Sequence, residues 1–335
     1  PSPPRTGLAL SRSSRSSKRS TPLRTACSHP SDLSCSRKPR YAAWKIRNAR
    51  RAVPPGMRHS LHSLPFCPFF FSSLLLSQSV EEFSVSTFNI RYDNPTDPLL
   101  WSERGEDVAK AIAYYDIVGL QEVLPNQLHD IMDVLPWMSN YSVNRDGSGN
   151  GEACPILWQT KSFDLLHSET RWLSEFWRDT ASVGWDAVMP RIASIVSLHH
   201  KESGKIIRVI NSHWSHIGDK ARRASAALIR GWALGNEADI VIVLGDFNAE
   251  PDSEEIKYLL NSGLDDTYEV AETRCKKKFG TFTGFDPAGY AGPRIDYILV
   301  DGADVNWVCA DEHINNGFYI SDHLPVHSFI SLKTP

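Results

Sequence analysis

Residues 83–332 read as a single α/β domain, on three observations. Short β-branched runs alternate with amphipathic stretches of helical period along the whole segment. Clusters of carboxylate, amide and imidazole side chains fall where the apolar runs end, the place from which α/β folds present their sites. No repeat and no break in composition divides the segment, and its length suits one domain.

In chain order, Phe83–Asn89 is an apolar run closed by an amide and predicts the first strand. Glu103–Tyr114 and Asn126–Val134 have helical period, and between them Ile117–Leu120 predicts a short buried strand. The segment Asp146-Gly-Ser-Gly-Asn-Gly151 is turn chemistry. Ile192–Leu198 and Ile206–Asn211 predict two further strands. Ala221–Leu234 predicts a helix whose broad apolar face carries Ala224, Ala227, Leu228, Ala233 and Leu234, with Arg222, Arg223 and Arg230 elsewhere on its surface. Ile240–Leu244 is an unbroken apolar strand, Ser253–Leu260 a short helix, and Ala288–Pro293 a turn. Ile295–Val300 and Pro325–Ile330 complete the strands.

The charge is divided unevenly. Residues 1–80 hold 14 Lys and Arg against a single acid, Asp32, whereas 81–335 carries 22 basic and 38 acidic residues, a net of −16. Residues 1–56 are rich in Ser, Arg and Pro and lack the apolar periodicity that offsets the entropy of ordering. They read as a disordered leader or upstream sequence; an organellar transit peptide has a similar composition. Met57, the first methionine, opens a segment with the grammar of a secretory signal over 57–79. Arg58 and His59 form a charged start, Leu61–Leu76 an apolar stretch, and Ser77 and Ser79 bracket a cleavage pattern. The expectation is translation from Met57, cleavage after Ser79, and a secreted domain; the alternatives are an intracellular protein and a tail with an apolar patch. No run of about 18 apolar residues predicts a membrane-spanning helix. Cys154, Cys275 and Cys309 are too far apart for a zinc motif, and any pair of them could bridge. Asn140-Tyr-Ser142 is a glycosylation sequon, in keeping with secretion.

Six polar clusters carry the chemistry: Ser86-Thr-Phe-Asn-Ile-Arg-Tyr92, Ile117-Val-Gly-Leu-Gln-Glu122, Val209-Ile-Asn-Ser-His-Trp-Ser-His216, Ile242-Val-Leu-Gly-Asp-Phe-Asn248, Arg294-Ile-Asp-Tyr297 and Ile320-Ser-Asp-His-Leu-Pro325. Singly, each has a bland explanation. A Glu after a strand is usually a solvated loop residue, Asp and Asn favour turns, and a lone His usually makes a structural hydrogen bond. Together, at the ends of strands in one domain, they supply the acids, amides and imidazoles of a hydrolytic site.

This ordered set resembles the endonuclease/exonuclease/phosphatase superfamily, which has the deoxyribonuclease-I-like fold. The resemblance covers essentially all of 83–332. Trp101–Arg104, the stretch from Gly184-Trp-Asp186 to Pro190-Arg191, and Gly280-Thr-Phe-Thr-Gly-Phe285 are similar to its secreted bacterial and fungal or deadenylase-like branches. It implies a four-layer α/β sandwich of two packed, mainly antiparallel or mixed sheets flanked by helices. It implies Glu122 as principal ligand of Mg²⁺ (or Mn²⁺), with Asn89 beside it and Asp322 near the metal. Asp246 would deprotonate the attacking water, with Asn248 fixing its position. His323, held by Asp296, would bind phosphoryl oxygens, His213 would be a second donor and Arg191 a further phosphate clamp. Two adjacent positions depart from the family: many relatives carry an acid where this chain has Ser215, and an aliphatic where it has Trp214.

The superfamily cleaves several kinds of phosphoester, so the fold alone does not name the substrate. A net of −16 lacks the basic surplus of most nucleic-acid binders. The leading expectation is therefore a metal-dependent phosphodiesterase or phosphatase acting on a small, lipid or sugar phosphate. The second is a nuclease, either an endonuclease or a 3′-5′ exoribonuclease of deadenylase type, for which the basic run Arg274-Cys-Lys-Lys-Lys278 and the aromatics Trp185, Trp214, Phe282, Phe285 and Tyr290 are the candidate contacts. The third is a non-catalytic binding protein on the same fold. No stable protein partner is implied, and a monomer is expected.

Overall fold

The computed structural model describes residues 82–235, 237–276, 280–288 and 292–332. The leader 1–56, the signal-like segment 57–79, Lys277, Lys278 and Tyr290 lie outside the described residues. In chain order the elements are β1 (Glu82–Asn89), α1 (Trp101–Ile112), β2 (Ile117–Gln121), α2 (Pro125–Val134), β3 (Met138–Tyr141), β4 (Ile156–Gln159), β5 (Phe163–Trp172), β6 (Ile192–His200), β7 (Ile206–His213) and α3 (Asp219–Ala233). There follow β8 (Ile240–Asp246), α4 (Glu254–Leu260), β9 (Asp265–Asp266), α5 (Thr267–Val270), β10 (Thr273–Arg274), β11 (Asp296–Asp301), β12 (Ala303–Ala310), β13 (Ile314–Asn315), β14 (Phe318–Tyr319) and β15 (Val326–Leu332).

The strands form a seven-stranded sheet in the order β10-β12-β15-β1-β2-β4-β3 and a six-stranded sheet in the order β5-β6-β7-β8-β11-β9, with β13-β14 a separate hairpin. β1–β2, β7–β8 and β10–β12 pair in parallel, and the other pairs are antiparallel. Alternation along each strand sorts the apolar residues into layers. Val85, Ile117, Val209, Ile242 and Leu244 point between the sheets into one core. Val118 and Leu120 face outward against Val108, Ile112 and Ile131 of α1 and α2. Ile210, Val241 and Val243 face Ala226, Ile229 and Ile256 of α3 and α4. The result is the four-layer α/β sandwich. Its central strands are buried on both faces, which is why β8 reads as the unbroken run Ile-Val-Ile-Val-Leu.

The sheets approach closely at Gly119. A Cβ there would lie 2.0 Å from Leu244 Cδ1 and 2.9 Å from Asn211 Cγ, so only glycine fits. Beside it, Gln121 Nε2 donates to Asn211 Oδ1 across the interface at 2.7 Å. Asn211 Nδ2 donates back to the carbonyls of Leu120 and Pro155 at 2.8 Å each. This network ties the ends of β2 and β7 together.

Two features of the termini and loops bear on the site. Arg104 of α1, fully buried, donates from its guanidinium to the carbonyls of Ile90, Arg91 and Ile320, bracing the loop after β1. The first turn of α3 is capped at a distance: Asp186 accepts from Ala221 N–H at 2.7 Å and Lys220 N–H at 3.2 Å. Cys275 and Cys309 form a disulfide, and Cys154 is a buried free thiol. The sequon asparagine, Asn140, is exposed on β3.

Candidate active site

Strand register assembles the site. β7 and β8 run two residues beyond their apolar segments, to His213 and Asp246, and β11 begins at Asp296. In the ladders His213 pairs with Asp246 and Asp246 with Asp296, so the three residues stand in a row across adjacent strand ends. In the other sheet β1 ends on Asn89, paired with Gln121, and Glu122 follows in the left-handed region at φ 61°. His323 is carried in by the loop before β15 and bridges Phe282. Between them lies a cavity of about 580 Å³, whose lining includes Glu122, Asp246, Asn248, His213, Arg191, Asp322 and His323.

Asn89 is fully buried at the centre. Its Nδ2 donates to Glu122 Oε1 at 3.2 Å and to Asp246 Oδ2 at 3.0 Å, and its Oδ1 accepts from Arg91 N–H at 3.0 Å. Asn89 thus presents its amide N–H groups to the two carboxylates and its oxygen to the Arg91 backbone. Glu122 Oε2 accepts from Tyr92 N–H at 3.3 Å. Arg91 Nη1 sits between two acids, 3.9 Å from Glu122 Oε2 and 3.7 Å from Asp322 Oδ2. Burial raises the Asp322 pKa above the usual carboxylate range.

Asp246 is 1% exposed. Its Oδ1 accepts from Asn248 N–H at 2.9 Å, while Oδ2 lies 3.3 Å from His213 Nε2 and 3.7 Å from His323 Nε2. Asn248, itself at φ 48°, is fixed by a donation from Nδ2 to the Trp214 carbonyl at 3.2 Å. Burial and then repulsion from Asp296 push the Asp246 pKa up to about 7. His323 Nδ1 donates to Asp296 Oδ2 at 2.8 Å. Burial opposes charge on His323, but Asp296 and Asp246 outweigh it and raise the pKa to about 10. His213 goes the other way: burial, then the nearby Arg191 and Arg145 cations, lower its pKa and keep the ring neutral.

Arg191 is 5% exposed, and only Nη2 is satisfied, lying 3.0 Å from His216 Nδ1. Among the described residues its Nε and Nη1 have no partner, which leaves two guanidinium donors uncommitted beside the cavity. An unmet buried donor costs about 1–3 kcal/mol, more for a charged group, and an anion in the cavity removes that cost. Asp246, Asp296 and His323 group their ligand-type atoms within 4.8 Å. Within this trio the His323 Nδ1 is committed to Asp296, and the two acids favour the charged ring. Of the carboxylates that line the cavity, Glu152 is paired with Arg145 and Asp246 lies against His213 and His323, which leaves Glu122 and Asp322 for a cation. They already share the Arg91 cation, and a hard dication that keeps most of its waters suits such a sparse carboxylate set.

The structure thus brings Glu122, Asn89, Asp322, Asp246, Asn248, His213, His323, Asp296 and Arg191 around one cavity. Reading the sequence for chemistry missed the roles of Arg91 and His216, although both stood inside the clusters that drew attention. It missed Arg145 and Glu152 altogether: they flank the Asp146–Gly151 turn and are ion-paired to each other on the cavity wall. Opposite charges seven residues apart across a turn were the only available signal. Ser215 Oγ accepts from Gly218 N–H at 2.9 Å and shapes the turn into α3. Trp214 is fully buried, stacked on Phe247 with centroids 4.3 Å apart, and Phe285 is also buried; neither is available to stack a ligand.

Residues 86–323 match the Endonuclease/Exonuclease/phosphatase family. A family protein of Bacteroides thetaiotaomicron is similar in structure, with a TM-score of 0.72 and 32% identity, over 76% of this chain and 100% of that one. The mannosyl-6-phosphatase of the same organism has a TM-score of 0.70 and 32% identity, over 75% of this chain and 100% of that one. The catalytic domain of human Nocturnin, with bound sulfate, shares the fold at 21% identity and a TM-score of 0.60, over 75% of this chain and 94% of that one. A comparison with curated protein sequences finds no match. With more than half of its length in that match and the four-layer sandwich around these motifs, the chain belongs to the Endonuclease/Exonuclease/phosphatase family.

Proposed function

We propose that this chain is a metal-dependent hydrolase of small phosphate esters, with a sugar phosphate monoester as the preferred substrate class. The observation that carries the reading is the Asp246–His323–Asp296 cluster: a buried carboxylate 3.7 Å from an imidazole that a second acid holds, at the edge of a cavity also lined by Arg91, Arg145 and Arg191.

Asp246 accepts the proton of a water held between its carboxylate and the Asn248 amide, and the water's oxygen then attacks phosphorus in line with the leaving alkoxide. A base with a pKa near 7 is deprotonated about half the time at neutral pH yet still strong enough to take the proton. His323, kept charged by Asp296, donates to a phosphoryl oxygen, where negative charge gathers as the bond to the leaving group breaks. His213 donates as a neutral imidazole, and Arg191 binds another oxygen through its uncommitted donors. Glu122 and Asp322 would hold Mg²⁺, or Mn²⁺ in its place, which when bound supplies charge neutralisation at the phosphoryl group. Asn89 positions Glu122 and Asp246 relative to each other.

Three facts favour a small ester. Residues 81–335 are net acidic, the cavity has the volume of a modest ligand, and a mannosyl-6-phosphatase stands at 32% identity over its full length. The basic run is partly committed: Arg274 donates to the carbonyls of Tyr268 and Glu269, and Lys276 pairs with Glu312. One observation favours a nuclease instead: Phe282, 40% exposed, lies edge-on to His323 at 5.2 Å, where a base or a sugar ring could stack. Secretion is supported by the disulfide, which persists in oxidising compartments, and by the exposed sequon.

The deciding experiment offers protein beginning at Val80 mannose 6-phosphate, p-nitrophenyl phosphate, bis-p-nitrophenyl phosphate and oligo(A), each with Mg²⁺ or EDTA. EDTA-sensitive release of phosphate from the monoesters supports the proposal. Shortening of oligo(A) without monoester turnover replaces it with the nuclease reading.

A further inference from the structure

A second cluster of ligand-type side chains lies on the first sheet and shares no residue with the catalytic cavity. His327 is fully buried in β15, between Ser86 on β1 and Cys309 on β12 in the ladder. Its ring is fixed twice. It stacks on Tyr115 with centroids 3.9 Å apart and planes 5° from parallel, and its Nδ1 lies 3.0 Å from Ser86 Oγ. Its Nε2 points toward Asp311, 3.8 Å from Oδ2. His313 reaches the same place from the loop after β12, and one ligand-type atom from each of Asp311, His313 and His327 lies within 4.8 Å of the other two.

Among the described residues, Nε2 of His327 and Nε2 of His313 are both buried without a hydrogen-bond partner. Two such nitrogens beside one carboxylate are costly unless something fills the space between them. In the tautomer whose Nδ1–H donates to Ser86 Oγ, the bare lone pair of His327 sits on Nε2, as metal ligation requires. Burial keeps that ring neutral.

We propose that Asp311, His313 and His327 form a second metal site, which takes a borderline transition-metal dication, Zn²⁺ being the best match. Two imidazole nitrogens and one carboxylate oxygen suit Zn²⁺, whereas Mg²⁺ and Ca²⁺ take oxygen sets. Three protein ligands leave the fourth position to water. The site's consequence is mechanical. Asp311 N–H donates to the Pro325 carbonyl at 3.1 Å and Ile320 N–H to the His313 carbonyl at 3.1 Å, so these ligands bracket the segment carrying Asp322 and His323. A metal here staples that segment to β15.

The test titrates chelator-stripped protein, starting at Val80, with Zn²⁺ and with Co²⁺, whose visible absorption is intense only at four-coordinate sites. The proposal expects one Zn²⁺ per chain at this site, an intense Co²⁺ band, and a melting temperature about 5 °C or more higher with Zn²⁺ in hundredfold excess over its Kd. His313→Gln and Asp311→Asn alter partly exposed side chains and leave the β15 core intact; each should abolish the band and the thermal shift. Glu122→Gln should retain both. Absence of an intense band in the wild type, its survival in His313→Gln, or its loss in Glu122→Gln overturns the assignment. A bridging water between the two histidines gives the first of these results.

Discussion

Gln121 and Asn211 join side-chain amides across the two sheets at 2.7 Å, one residue before Glu122 and two before His213. The distance between the acid end of the site and its imidazole end is therefore set by a buried amide pair that touches no substrate. Asn211→Leu keeps the volume but removes three buried hydrogen bonds, leaving Gln121 Nε2 to Thr87 Oγ1 and the Gly119 carbonyl, and the Pro155 carbonyl to Leu120 N–H alone. The expected loss is about 2–4 kcal/mol, seen as a fall in melting temperature of roughly 5–15 °C. Thermal unfolding followed by circular dichroism measures it, and an unchanged midpoint contradicts the role given to the pair.

Arg191 holds two donors in reserve for an anion. Replacing it with Ala removes the charge-assisted hydrogen bonding it would offer an anion, worth about 1.5–3 kcal/mol for one bond. We expect kcat/KM for a phosphate monoester to fall by roughly 10- to 150-fold, and inhibition by inorganic phosphate to weaken. Equal phosphate inhibition in wild type and variant rules out the clamp.

The pH profile follows from the row of charges. Activity requires Asp246 ionised and His323 protonated, so kcat/KM should rise through about pH 7 and fall through about pH 10. Asp296 repels charge on Asp246 and attracts it on His323. In Asp296→Asn the Asp246 pKa drops for want of a repelling neighbour, and the His323 pKa drops for want of an attracting one. Both limbs should move to lower pH, together with a lower maximum. A profile whose limbs stay in place contradicts the coupling.

Glu122→Gln keeps the shape of the side chain and removes its charge. The Mg²⁺ concentration for half-maximal activity should rise by about tenfold or more while the fold is unchanged. An identical Mg²⁺ titration removes Glu122 from the metal site.

His213 and Asp246 were legible because each closes a strand whose apolar run is unmistakable. Ile240–Leu244 announces β8, and Asp246 two residues on is its last ladder position rather than a loop residue. Backbone pairing simply continues past the hydrophobic segment, which periodicity does not reveal. β5 escaped notice because it is an edge strand with much of its length in water, so Phe163–Trp172 shows no apolar run. β12 was hidden by a bulge between Val305 and Trp307 that breaks the alternation. The same limit applies to side chains. Arg145 and Glu152 line the cavity through a loop, and His327 meets Asp311 and His313 only after β15 pairs with β12; long-range register of this kind has no local signature.

The central claim is that Asp246 drives hydrolysis of a phosphoester in this cavity. Its most direct test compares wild type and Asp246→Asn on one phosphate monoester in Mg²⁺, with circular dichroism to verify that both are folded. The account predicts EDTA-sensitive turnover by the wild type and a rate at least ~10²-fold lower in the variant. Equal turnover in the two proteins, or none in the folded, Mg²⁺-loaded wild type, would contradict it.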